Sequence, residues 1–109
     1  MTYTYNITFV IAPSDEQKLL AWIRTEALPA LFNPESPARN AALRKVVEAG
    51  GEKPGPEHGL SIALHAEFES ESLAREWNDR ILIPALGSFH SQFGRNALFF
   101  VTLLENLPL

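Results

Sequence analysis

The chain has 109 residues, 46% of them hydrophobic and 20% charged, with a formal net charge of −4 and no cysteine. That length holds one domain with a single core. Without cysteine there are no disulfides and no thiolate chemistry, and the scattered Lys and Arg offer no clustered basic surface to nucleic acid.

Residues 3–12 alternate. Tyr3, Tyr5, Ile7, Phe9 and Ile11 share one face, and Thr4, Asn6, Thr8, Val10 and Ala12 the other. Aromatic and β-branched enrichment at period two predicts a strand with one strongly apolar side. This opening lacks the basic start of a signal peptide. No stretch approaches the length of a membrane-crossing helix. The expectation is a soluble cytoplasmic protein with neither membrane nor nucleic acid as partner.

Pro13 stops the strand, and Ser14 opens S-D-E-Q, a capping box with Gln17 at its third position. Leu19, Leu20, Ile23 and Ala27 form the apolar stripe of a first helix. Pro29 should end that helix or begin a displaced turn, since it has no N–H and crowds the carbonyl four residues back. Residues 32–41 are a loop by composition, 42–48 a short strand, and 49–59 a Gly/Pro-rich connection with four Gly and two Pro.

Residues 60–68 alternate again, with Ile62, Leu64, Ala66 and Phe68 on one side and Ser61, Ala63, His65 and Glu67 on the other. Ser70 caps a second helix with the stripe Leu73, Trp77 and Ile81, interrupted near Pro84. A further helical piece, 85–93, ends at Gly94, a natural left-handed C-cap. Residues 97–105 form a last strand, apolar on both faces.

Residues 22–31 read WIRTEALPAL and residues 77–86 read WNDRILIPAL. In both, Trp is followed seven positions later by Pro-Ala-Leu. Two related strand–helix halves in the order β-α-β-β-α-β give, with right-handed crossovers, a ferredoxin-like α+β domain spanning 1–109. Its antiparallel sheet carries both helices on one face. The last strand then lies at an edge with apolar residues on both sides, a combination that invites aggregation unless covered. Covering by a second copy, sheet against sheet, makes a homodimeric α/β barrel. Phe99 and Val101 are expected to look into it, and Leu98 and Phe100 toward the helices. The plainer alternative is a loop or tail folding back over the open face.

YNITFVI at 5–11, the Trp22-x6-Pro29 segment and HSQFGRNALFFVTLLE at 90–105 resemble a small bacterial family of unknown function. The resemblance implies a ferredoxin-like dimeric α/β barrel and no particular activity. The family pattern has a His two residues before the proline, where this chain has Ala27. It has an Arg before the Thr of its last strand, where this chain has Val101.

The candidate binding constellation is Asn6, Thr8, His65 and Glu67. Alternation puts all four on the sheet face opposite the apolar stripe. Antiparallel pairing of the first and third strands sets His65 across from Thr8 and Glu67 from Asn6. An imidazole near a carboxylate can bind or deprotonate a small polar molecule. The same residues can equally hydrogen-bond within an interface or face water.

His90 reads as a helix-end residue and His58 as a solvated loop residue. Three histidines without metal-ligand spacing give no metal signal. Trp22 and Trp77 are most simply core residues, with an aromatic ligand cage as the sharper reading. Neither Ser14 nor Ser70 sits in a nucleophile elbow, and GGEKPG at 50–55 is not a phosphate loop. No cofactor is called for. The sequence favours a non-catalytic dimeric module that binds a small molecule or a partner. The competing reading is a cofactor-independent, monooxygenase- or isomerase-like enzyme using the barrel interior. That reading rests on fold analogy.

Overall fold

A computed structural model describes residues 1–47 and 59–109. Four strands form one antiparallel sheet: β1 (Tyr3–Ile11), β2 (Arg39–Lys45), β3 (Leu60–Phe68) and β4 (Leu98–Glu105), in the order β2-β3-β1-β4. The helical segments α1 (Glu16–Trp22), α2 (Leu28–Leu31), α3 (Glu71–Trp77), α4 (Ile83–Ala85) and α5 (Phe89–Phe93) connect them. This is the ferredoxin-like arrangement expected from the element order. The expected strand at 42–48 begins earlier, at Arg39, and ends earlier, at Lys45, leaving Val46 and Val47 outside it, while Glu48 lies outside the described residues.

The core forms between the sheet and the helices. Tyr5, Ile7, Phe9 and Ile11 of β1 and Ile62, Leu64, Ala66 and Phe68 of β3 are all buried there. Trp22 meets Phe9 edge-on, and Trp77 lies against Tyr5 and Phe68. The indole N–H of Trp77 donates to the Leu31 carbonyl at 3.0 Å and ties the two helical halves together. Both tryptophans are thus core residues.

The repeated Trp-x6-Pro segment has a structural meaning. After each Trp the helix widens into a single π turn, Ile23–Ala27 and Asn78–Leu82. The Leu28 N–H reaches back to the Ile23 carbonyl, and the Ile83 N–H to that of Asn78. Each proline then enters the next α-helical turn, where its missing N–H leaves no broken bond. Pro29 thus begins a displaced turn rather than ending the helix. The π turn adds a residue, so in the second half the buried stripe steps by five across it, from Trp77 to Leu82, while in the first half Ile23 is buried as well and bridges Trp22 to Ala27. That step corrects the sequence stripe of the second helix. Ala74, Trp77 and Leu82 face the core, while Leu73 is 37% exposed and Ile81 only half-buried.

Ser70 caps α3 as expected, its Oγ accepting from the Leu73 N–H at 3.2 Å. Ser14 does not cap. It lies inside a 3-10 turn, Pro13–Asp15, which no side chain caps. Pro13 fixes that turn and pre-empts the capping box. Gly94 closes α5 but is not in the left-handed helical conformation expected: at φ +88° and ψ 169° it lies in a region that essentially only glycine occupies without strain.

Candidate functional site

The far side of the sheet carries no helix. Cross-strand pairing lays its side chains in rows. One row runs Ala42, His65, Asn6, Thr102 from β2 to β4. The next, toward the N-terminal end of β3, runs Arg44, Ala63, Thr8, Phe100. On the other side of the central row lie Arg39, Glu67, Thr4 and Leu104.

All four candidate residues therefore share this open face, but their pairing is one step out. His65 lies across from Asn6, Thr8 from Ala63, and Glu67 from Thr4. The register depends on where the strands are joined, which alternation does not specify. The expected His65–Glu67 partnership is also absent. The Glu67 carboxylate accepts from the Asn40 side-chain amide at 3.2 Å.

His65 is held instead by Arg44, whose Nη1 lies 2.8 Å from its Nδ1. A guanidinium can only donate, so Nδ1 must be the unprotonated nitrogen and Nε2 carries the ring proton. Burial, and secondarily the Arg44 charge, hold the His65 pKa below its ordinary value. The ring is thus a fixed neutral donor. Arg44 was not singled out from the sequence, because the weakly patterned β2 gave no reliable facing. The side-chain Oδ1 of Asn6, in the same row, is buried and accepts no hydrogen bond. Thr4 and Asn106 hydrogen-bond to each other at the edge of the face.

The apolar part of this face comes from β4, with a reversal of the expected facing. Phe99 pairs with Phe9 and packs edge-on against Phe89 in the core, and Val101 pairs with Ile7 on the same helical side. Leu98, Phe100 and Leu104 are the open-face residues, 45%, 55% and 44% exposed. A strand apolar on both sides carries no alternation signal from which to choose. The two departures from the family pattern also lie away from the open face: Ala27 is buried in the core, and Val101 points to the helical side.

His90 sits where its helix-end reading puts it, with Nδ1 3.3 Å from the Gly94 carbonyl. His58 and the 50–55 segment lie outside the described residues. Among the described residues, no three His, Cys, Asp or Glu side chains gather as a metal site, and no helix is long and apolar enough to cross a membrane. A cleft of about 460 Å³ opens on the helical side, lined in part by Asn33, Glu35, Trp77 and Arg80, away from the His65 row.

Fold and face together define a ferredoxin-like domain with one helix-covered and one uncovered sheet face. The chain belongs to the family described as a domain of unknown function, DUF4286, which matches residues 2–107. No curated protein matches it. Similar solved structures include an ethyl tert-butyl ether d (ethd) family protein of Bacillus halodurans C-125, at 12% identity and TM-score 0.65, covering 96% of this chain and 99% of that one. A dimeric ferredoxin-like protein from an uncultured marine organism is similar at 10% identity and TM-score 0.61, over 99% and 98% of the two chains. SnoaB, a cofactor-independent oxygenase of Streptomyces nogalater, was solved as its N63A mutant; it is similar at 14% identity and TM-score 0.58, over 99% and 95%. At these identities the likeness is one of fold.

Proposed function

We propose that the protein is a homodimer of sheets packed face to face, and that it binds a small molecule in the chamber between them without transforming it. Support for the pairing comes from the uncovered face itself. Leu98, Phe100 and Leu104 stand exposed beside a buried Asn6 carbonyl without a donor. A contiguous apolar patch rimmed by polar groups is characteristic of an interaction surface, and the marine structure of similar fold is described as dimeric.

The observation that favours binding over catalysis is the Arg44–His65 hydrogen bond. With Nδ1 occupied by a donor and Nε2 protonated, the ring has no lone pair with which to take a proton from a substrate. It can donate a hydrogen bond, as binding requires. Asn6, Thr8 and Glu67 complete the polar lining, and no cofactor enters this reading. The cofactor-independent enzyme reading would require His65 to release Arg44 first.

Thermal-shift screening of small polar and aromatic molecules tests the proposal. Ligands that stabilise the wild type should lose their effect on His65→Ala, with the variant's own fold intact by circular dichroism. Equal shifts in both proteins would remove His65 from the site. Turnover of a bound compound would favour the enzyme.

A further inference from the structure

We infer that the ligand is an organic acid, anchored by Arg44 through its carboxylate and laid with its apolar body across the sheet toward Phe100. The inference rests on the paired-sheet binding chamber and specifies what the chamber holds.

The row Arg44, Ala63, Thr8, Phe100 crosses all four strands. Its two ends differ in kind: a guanidinium on β2, and on β4 a phenyl ring that is 55% exposed. Between them stand two small side chains. At roughly 4.8 Å per strand the ends lie about 14 Å apart, so the row forms a shallow trough floored by Ala63 and Thr8. A flat or extended molecule of moderate length fits along it.

The charge at the β2 end is available. Arg39 is paired with Glu69, Lys45 with Glu16, and Arg75 with Glu71, but Arg44 meets no carboxylate among the described residues. Among the described residues its one side-chain partner is the neutral His65 ring. A guanidinium has five N–H donors, so those not engaged by His65 remain to bind a carboxylate. The Nε2–H of His65 adds a donor in the neighbouring row. The carboxylate on that side of the face, Glu67, lies one row beyond His65 from Arg44 and is engaged by Asn40. The site thus opposes a donor cluster to an apolar surface, which selects an amphiphilic anion over a neutral isostere.

A pair of probes decides it: 3-phenylpropionate and its uncharged amide, titrated into the isotopically labelled full-length protein. Binding is followed by NMR through the His65 ring nitrogens and the Arg44 Nε–H. The acid should bind at least tenfold more tightly than the amide. Arg44→Gln, a change at an exposed position, should abolish the preference for the acid, weakening the acid tenfold or more and the amide, which accepts only a neutral-type hydrogen bond, far less. If acid and amide bind alike in the wild type, or if the preference survives in Arg44→Gln, the anion assignment is wrong while the binding chamber stands. If neither probe moves the His65 signals at millimolar concentration, the assignment and the chamber fall together.

Discussion

His65 illustrates how one neighbour changes the chemistry of a side chain. Its sequence neighbour two positions on is Glu67, a partner that would raise its pKa; its actual partner is Arg44, and the pKa is lowered by burial first and by that charge second. The consequence for stability has a definite sign. The unfolded chain takes up the imidazole proton at about pH 6.5, and the folded chain only at lower pH. Below 6.5 the unfolded state binds more protons, so stability falls as pH drops through the folded pKa and is unaffected by this group above 6.5. Arg44 in one neighbouring row and Glu67 and Arg39 in the other are the charged groups flanking the ring on its face. Denaturant titrations between pH 7.5 and 5 should therefore show a loss that His65→Gln reduces. An identical pH slope in the variant would assign the loss to other groups. On the opposite face, Phe9 is wholly buried against Trp22 and Phe89, and Phe9→Ala should cost on the order of 3–5 kcal/mol in denaturant unfolding. The faces of Asn6, Thr8, His65 and Glu67 were legible because β1 and β3 each have one strongly apolar side. Their partners were not, because pairing register and the placement of Arg44 depend on loops and on a strand, β2, whose own pattern is weak.

At the level of elements, the two halves of the chain look alike in sequence and differ in detail. Ser14 and Ser70 both precede an acidic first turn, yet only Ser70 accepts a backbone N–H. Ser70→Ala should cost about 1 kcal/mol, while Ser14→Ala should change stability by less than about 0.5 kcal/mol, as at an ordinary surface site. Equal losses would mean that Ser14 caps its helix in solution after all. The Trp-x6-Pro repeat pointed to duplicated halves, and each copy does hold a π turn. The π turn itself was hidden because a stripe is read at steps of three and four, and a step of five looks like a stripe shifted onto Ile81. β4 was hidden for the opposite reason. With Leu, Phe and Val at nearly every position, both facings satisfy the pattern, and only its pairing with β1 shows that Phe99 and Val101 belong to the helical side.

For the whole molecule, that corrected facing decides how the paired-sheet proposal must be tested. A lysine at Val101 would sit on the helical side of an edge strand, at a position 37% exposed, where its long stem can carry the ammonium to water. It should leave the assembly intact. A lysine at Phe100 would stand on the open face, beside Thr8 and at the β4 end of the row that begins at Arg44. Between two sheets it would be desolvated, without a carboxylate partner in its own row and with a like charge at the row's far end, a cost of several kcal/mol. Phe100→Lys should therefore shift the protein to monomer at micromolar concentration, while Val101→Lys stays dimeric, as measured by light scattering coupled to size exclusion. The contrast matters more than either variant alone, since both add one charge to the same strand and differ only in the face that receives it. Loss of the dimer in Val101→Lys but not in Phe100→Lys would place the contact on the other side of β4. A monomeric wild type would leave the open face without its partner copy and end the chamber reading, because a site on a single sheet has no second wall.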